Sequence, residues 1–163
     1  MLGRITPTYS TWLSPRWVSA VLEHPATWFC ARVALVCAYL IGGLTKLFDL
    51  PGAVAEQAHF GLHPPEVWAA VAIVVEIVGS LLIIWGRLVW FAGGALAVLT
   101  AIASLVAEDF WKMQGHARFV AMNSLLEHIG LIGAFAMAAM IVNARQRSQK
   151  PAPRATSFQG RRP

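Results

Sequence analysis

The chain has 163 residues, of which 57% are hydrophobic and 13% are charged, and its mean hydropathy is +0.58. Because soluble domains carry about 25% charged residues, this composition excludes an ordinary soluble protein and predicts a single-domain integral membrane protein. The formal net charge is +5, but the basic residues do not alternate with aromatic residues on a folded face. We therefore expect no binding to nucleic acid.

Residues 1–27 form an N-terminal segment that lacks the compact apolar core of a secretory signal peptide. We therefore expect the first membrane helix to be retained. Within this segment, Ser14-Pro15 is typical of a helix start, with Ser14 as the N-cap, and the apolar residues that follow share one face. The pattern predicts a short helix that lies flat at the membrane interface and ends before Pro25.

Four apolar segments are long enough to cross a bilayer core of about 30 Å as helices. They are residues 28–48, 67–86, 88–107 and 119–142. Short connections place consecutive helices side by side and antiparallel, so residues 28–142 are predicted to form an all-α four-helix membrane bundle. Small residues recur at spacings that allow close helix packing. They include Gly42, Gly43, Gly79, Gly93, Gly130 and Gly133.

The placement of Lys and Arg predicts the orientation of the bundle. Residues 143–163 contain six basic residues and no acidic one. Arg87 lies in the link between the second and third helices, and Arg32 lies just inside the first helix, where we expect its side chain to extend to the membrane surface or to pair with a lipid headgroup. Most acidic residues lie in the other two connections. By the positive-inside rule, both termini are predicted to face the cytoplasm. We expect residues 143–163 to be a disordered basic tail.

Glu76 lies near the centre of the otherwise uncharged segment 67–86. A charged group at that depth costs about 2.5–3.5 kcal/mol, so its presence indicates a functional site. Glu127 and His128 lie at nearly the same depth in the fourth helix, because both helices enter the membrane from the same side. The three residues therefore predict a buried polar layer near the middle of the membrane.

Three other residues are candidates to complete this polar layer. Lys46, at the outer end of the first helix, either reaches Glu76 or extends to the membrane interface. Asn123 lies one turn from Glu127, and Ser80 lies one turn from Glu76. Each can supply a hydrogen bond that a buried carboxyl group needs.

The polar layer has four possible roles: a structural cluster that fixes helix register, a site for a quinone headgroup or another polar ligand, a route for protons or ions, and a metal site. Glu127 and His128 are adjacent and point about 100° apart on a regular helix, so they cannot easily hold the same metal. No metal site is predicted. No haem is expected either, because His128 is the only histidine inside a membrane segment.

Other potential ligands outside the polar layer are interpreted as structural. His59 and His63 have helical zinc-site spacing, but Gly and Pro residues around them favour an ordinary exposed loop. Cys30 and Cys37 are about two helical turns, or roughly 10 Å, apart, which is too far for a disulfide. They are interpreted as small packing residues.

An ordered set of short stretches in the first two helices and their turns resembles the DoxX family of four-helix membrane proteins. The stretches are Arg32, Tyr39-Leu-Ile-Gly-Gly-Leu-Thr-Lys46-Leu-Phe-Asp49, Gly61-Leu62-His63-Pro64, Glu76-Ile-Val-Gly79 and Gly86-Arg87. The resemblance covers about residues 29–142, and Glu127-His128 is not among its motifs. It implies a bacterial inner-membrane protein linked to respiratory and redox systems, including electron transfer from thiosulfate to quinone. Because the family shares no single catalytic activity, it supports the fold more than the function.

The leading hypothesis is a small accessory or anchor subunit of a membrane redox complex, bound to larger membrane subunits and adjacent to a quinone. The chain is not expected to be an enzyme by itself. A quinone or lipid is the expected ligand, with no covalently bound cofactor. The alternatives are a stand-alone quinone- or ligand-binding component of an oxidoreductase and a small proton or solute transporter that uses Glu76.

Overall fold

The computed structural model of the chain describes residues 15–107 and 109–149, and within these residues the secondary structure is entirely helical. Four of the helices are long and apolar enough to cross a membrane. The predicted all-α membrane fold is therefore confirmed. In chain order the helices are α1 (Arg16–Glu23), α2 (Pro25–Phe48), α3 (Leu50–His59), α4 (Pro65–Trp85), α5 (Val89–Ala107) and α6 (Gly115–Gln149).

The first two helices begin at prolines or next to them. Pro15 occupies the N-cap position of α1, and the predicted cap, Ser14, lies outside the described residues. Helix α2 begins at Pro25, earlier than the predicted residue 28, because His24 caps it. The Nδ1 atom of His24 accepts a hydrogen bond from the backbone N–H of Ala26 at 3.2 Å, and Pro25 suits the first turn, where no N–H partner is needed.

Helix α3 (Leu50–His59) was not predicted, because the first outer connection was interpreted as a loop. Its start is well defined: the Oδ1 atom of Asp49 accepts a hydrogen bond from the backbone N–H of Gly52 at 3.0 Å, and Pro51 lies in the first turn. An Asp followed by a proline in the first turn is a common helix start. Helix α3 packs on α2 and α4 at one end of the bundle, which we call the α3 end.

A tight link joins α4 to α5 at the opposite end of the bundle, which we call the Arg87 end. Helix α4 ends at Gly86, whose φ of 72° is the left-handed conformation that favours glycine at helix C-termini. Arg87 and Leu88 complete the link, and α5 begins at Val89. The predicted boundaries at residues 86 and 88 thus agree with the structure within one residue.

Helix α6 extends beyond the predicted segment at both ends. It begins at Gly115 rather than residue 119 and continues to Gln149 rather than residue 142. The predicted basic tail therefore begins as helix over residues 143–149, because Arg, Gln and Ala are good helix formers even where the chain is no longer apolar. The rest of that tail lies outside the described residues.

The membrane helices pack in the order α2, α4, α5, α6, and α6 packs chiefly on α5. The buried apolar core lies toward the Arg87 end and consists of Val36, Ile83, Val89, Ala92, Leu96 and Phe135. Gly79 packs against Leu96, as the spacing of small residues predicts. Gly130 and Gly133 do not follow the prediction, because a Cβ atom added at either would have no neighbour within 4 Å.

Candidate functional site

Glu76 is buried in α4, with 8% of its surface exposed. The Nζ atom of Lys46, on α2, lies 2.8 Å from its Oε1 atom and donates a hydrogen bond to it. Of the two positions expected for Lys46, the structure has the one that reaches Glu76. The ion pair compensates the carboxylate charge inside the membrane and joins α2 to α4.

Two glycines of α2 make room for Glu76. A Cβ atom at Gly43 would lie 3.0 Å from the Cβ atom of Glu76 and 2.8 Å from Cγ1 of Ile77, and one at Gly42 would lie 3.4 Å from Oε2 of Glu76. Real Cβ contacts are rarely this short, so the absence of side chains at these positions lets α4 approach α2 closely. The same two residues therefore position both the helices and the carboxylate.

Only one of the two carboxylate oxygens of Glu76 has a hydrogen-bond partner among the described residues. Oε2 is buried and has no hydrogen-bond partner among the described residues. Ser80, predicted to hydrogen-bond Glu76, does not do so: it is fully buried and its Oγ atom has no partner in the described part of the chain either. A buried carboxylate oxygen without a donor is costly, so a donor that reached Oε2 would stabilise the folded protein.

Two cavities share the ion pair. The inner cavity, of about 230 Å³, lies between all four membrane helices and is lined by Ala38, Tyr39, Gly42, Lys46, Glu76, Leu99, Thr100, Ala103, His128 and Leu131. The loop-side cavity, of about 160 Å³, lies toward the α3 end and is lined by Lys46 and Glu76 together with Glu56, Gln57, Phe60, Trp68 and others. Lys46 and Glu76 thus border both spaces, together with Leu99 and Ala103 of α5.

Hydroxyl groups connect α2, α5 and α6 beside the inner cavity. Thr100 donates to the carbonyl oxygen of Leu96 at 2.7 Å, so it accepts from the hydroxyl of Tyr39 at 2.5 Å, because a hydroxyl has only one proton. Ser104 donates to the carbonyl oxygen of Thr100 at 2.8 Å. By the same reasoning it accepts from Nδ1 of His128, also at 2.8 Å.

The predicted polar layer is divided between two faces of α6. His128 faces the inner cavity, whereas Glu127 is exposed on the outer face of the helix and accepts a hydrogen bond from Nδ2 of Asn123 at 2.6 Å. The expectation that Glu76, Glu127 and His128 form one cluster is therefore wrong for Glu127. Adjacent residues on a helix point about 100° apart, so only one of the two can face the interior.

The remaining candidate ligands do not form a metal site. Among residues 15–107 and 109–149, no group of three His, Cys, Asp or Glu side chains is placed to hold a metal ion. His59 is the last residue of α3 and its ring contacts Phe60. Cys30 and Cys37 are free and exposed on α2.

A family model named DoxX matches residues 27–109 of the chain. The chain belongs to the DoxX family. The inner membrane protein YphA of Escherichia coli is 29% identical to it over 121 residues, which cover 72% of this chain and 84% of that protein. No solved structure matches the chain significantly. Together with the four apolar helices, these matches identify a multi-pass inner membrane protein.

The part of the chain that matches the DoxX model contains most of the site. Lys46, Glu76, Tyr39 and Thr100 all lie within residues 27–109, whereas His128 lies beyond them. The ion pair and the hydroxyl contact between α2 and α5 therefore belong to the DoxX portion, and α6 adds its histidine from outside the match.

Sequence reasoning missed three polar residues of this DoxX protein: Tyr39, Thr100 and Ser104. Thr100 and Ser104 are four residues apart in a helix without any charge, so they share one face, and this spacing was the available signal. It is a weak signal, because Ser and Thr in membrane helices often bond only to the carbonyl oxygen one turn earlier. Here they do that and also bind side chains of two other helices.

Proposed function

We propose that this DoxX protein is an accessory subunit of a membrane redox complex and that its inner cavity binds the ring headgroup of a quinone. One observation carries the proposal: Oε2 of Glu76 is buried without a hydrogen-bond donor, in a carboxylate whose other oxygen is held by Lys46 at the wall of a cavity. A ligand hydroxyl that donates to Oε2 would complete the coordination of the carboxylate.

The size and charge of the inner cavity suit a neutral ring. Its volume is about 230 Å³, and an apolar cavity of about 150 Å³ is sufficient to hold benzene. The charges of Lys46 and Glu76 already compensate each other, so a neutral ligand leaves no unpaired charge in the membrane. The ammonium group can donate to a quinone carbonyl, and the carboxylate can accept from a quinol hydroxyl.

The outer face of α6 supports the accessory role. Glu127 and Asn123 are exposed there, beside Gly130 and Gly133, where an added Cβ atom would meet nothing within 4 Å. Glu127 is at the level of the inner cavity, because the adjacent His128 lines that cavity. A carboxyl group facing lipid at mid-membrane depth is unfavourable, and small residues allow a second helix to approach closely. A membrane helix of a larger subunit would cover this face.

The ligand proposal is tested with the purified protein in mild detergent by calorimetric titration with decylubiquinol, the reduced form, whose hydroxyl groups can donate to Oε2 of Glu76. Glu76→Gln keeps the size of the side chain and removes the charge, and we expect binding to weaken by about tenfold. Glu66→Gln is the matched control, because Glu66 is an exposed carboxylate in the first turn of the same helix. Equal affinities of Glu76→Gln and the wild type would contradict the ligand proposal.

The accessory role is tested separately by isolating the tagged chain from native membranes in mild detergent. We expect larger membrane subunits to co-purify with the chain. Because a helix of such a subunit would cover Glu127, Glu127→Leu should reduce the amount of these subunits recovered. A chain that is recovered alone from native membranes would contradict the accessory role and leave the ligand proposal to the titration.

A further inference from the structure

Besides the two cavities at the ion pair, a cleft lies between α2 and α6 at the Arg87 end. It is far from the α3 end and shares no lining residue with the inner cavity proposed for the quinone. It has a volume of about 300 Å³, and its walls are mostly apolar side chains, including Leu35, Ile83, Met137 and Ile141. We call it the α2–α6 cleft. Apolar walls between two membrane helices favour an occupant with a hydrocarbon part.

The polar groups of the α2–α6 cleft are donors and cations. Trp28 and Arg32 line it, and the indole Nε1 atom of Trp28 is buried without a hydrogen-bond partner in the described part of the chain. The guanidinium carbon of Arg145, from α6, lies 3.6 Å above the ring of Trp28. Neither arginine forms an ion pair within residues 15–107 and 109–149. Two unpaired cations and an unused N–H donor favour an anionic ligand.

The depth of these groups is that of the membrane surface. A Cβ atom at Gly86 would lie 2.5 Å from Nη1 of Arg32, so the guanidinium lies against the C-terminus of α4. Arg87, which is exposed, follows Gly86 in the chain and marks the end of the apolar segment of α4. Trp28 lies one helical turn before Arg32 on α2, and it is therefore farther from the middle of the bundle. The donors are therefore at headgroup level and the apolar walls are below them.

We propose that the α2–α6 cleft binds one anionic phospholipid, such as phosphatidylglycerol. Its phosphate accepts hydrogen bonds from Nε1 of Trp28 and from Arg32, Arg145 adds a second positive charge, and one acyl chain occupies the apolar cleft. Basic pockets between membrane helices are a recurrent mode of binding anionic lipids. A phospholipid is the ligand that combines an anion at this depth with a hydrocarbon chain below it.

Between the residues that line the cleft and those that line the inner cavity lie Tyr39 and Phe135, whose ring centres are 5.6 Å apart. Leu35, one turn before Tyr39, lines the α2–α6 cleft, whereas Tyr39 itself lines the inner cavity. The two rings thus separate the acyl chain from the inner cavity. Lipid binding and quinone binding can therefore succeed or fail independently.

The test uses the full-length protein and native mass spectrometry, with phosphatidylglycerol and phosphatidylcholine of identical acyl chains added in mild detergent. We expect one phosphatidylglycerol to be retained in preference to phosphatidylcholine. Trp28→Phe removes the N–H donor and keeps an aromatic ring for Arg145, and Arg32→Gln removes one cation. Each variant should lower the affinity for phosphatidylglycerol by about tenfold. The matched control is Arg87→Gln, which removes an exposed arginine at the same end and should leave the affinity unchanged.

Equal retention of the two lipids would overturn the proposal, as would a loss of affinity in Arg87→Gln as large as in Arg32→Gln, because binding would then depend only on net charge. A dimer that retains no phosphatidylglycerol would also overturn it and would assign the cleft to a second copy of the chain. Addition of glycerol 3-phosphate should not displace the bound lipid. Displacement at comparable concentrations would mean that the acyl chain adds nothing and would contradict the role of the apolar walls.

Discussion

The Nζ atom of Lys46 and the Oε1 atom of Glu76 lie 2.8 Å apart between α2 and α4. Each charge offsets part of the cost of burying the other in the membrane. The pair also borders both the inner cavity and the loop-side cavity. It therefore contributes both to the packing of the bundle and to the walls of the candidate site.

Breaking this pair on one side should destabilise the protein strongly. Lys46→Met leaves the carboxylate of Glu76 buried without a cation, and we expect a loss of about 3–5 kcal/mol in the free energy of unfolding. The double variant Lys46→Met/Glu76→Met should recover most of that loss, because apolar pairs of similar volume replace buried ion pairs well. Thermal unfolding in detergent measures both.

The matched control for this prediction is Lys112→Met. The Lys112 ammonium group lies 2.7 Å from Oδ2 of Asp109, but this pair is exposed outside the membrane helices, so its loss should cost less than about 1 kcal/mol. Equal destabilisation by Lys46→Met and Lys112→Met would show that the Lys46–Glu76 pair is not buried in the folded protein.

Alanine at Gly43, a close-packed glycine, and alanine at Gly130, an unpacked one, should change the free energy of unfolding in opposite directions. Gly43→Ala places a methyl group against Ile77 and Glu76, so we expect a loss of about 1–3 kcal/mol and weaker ligand binding. Gly130→Ala meets no neighbour, and alanine favours the helix by about 0.5–1 kcal/mol. Thermal unfolding of the two purified variants distinguishes these outcomes, and stabilisation by Gly43→Ala would contradict the close approach of α2 and α4.

The hydrogen bond between Tyr39 and Thr100 should contribute measurably to stability. In a double-mutant cycle, Tyr39→Phe and Thr100→Val each remove one partner, and the coupling energy should be about 0.5–1.5 kcal/mol. The cycle is measured by unfolding in detergent. A coupling energy of zero would mean that the two hydroxyl groups do not meet in the folded protein.

The sequence was sufficient to predict the membrane helices, because twenty apolar residues in succession have few alternatives. It was also sufficient to single out Glu76, since a carboxyl group in that position must be compensated. It could not show which of Glu127 and His128 faces the inner cavity. The rotation of a helix about its axis depends on packing, and α6 is apolar on most sides. Helix α3 was missed although Asp49 and Pro51 form its start, because short helices depend on tertiary contacts more than on propensity.

The distribution of charge predicts how the bundle is oriented. Arg32, Arg87 and Arg145 lie at the Arg87 end, whereas Asp49 and Glu66 lie at the α3 end. By the positive-inside rule, the Arg87 end is predicted to face the cytoplasm. Alkaline phosphatase fused after residue 149 should therefore be inactive in cells, and the same enzyme inserted in the connection at residues 109–114 should be active. The reverse pattern of activity would place both chain ends outside.

Phe135 is the largest fully buried side chain in the described part of the chain, and it closes the core between α2, α5 and α6. Phe135→Ala should cost about 3–5 kcal/mol, because it leaves a cavity in a packed core. It should also join the inner cavity to the α2–α6 cleft, since the contact with Tyr39 separates them.

Phe119→Ala is the control for this prediction, because Phe119 is exposed on the same helix. We expect Phe135→Ala to lower the unfolding temperature and to make lipid and quinone compete, and neither change should occur in Phe119→Ala. Independent binding of the two ligands in Phe135→Ala would show that other residues keep the two spaces apart.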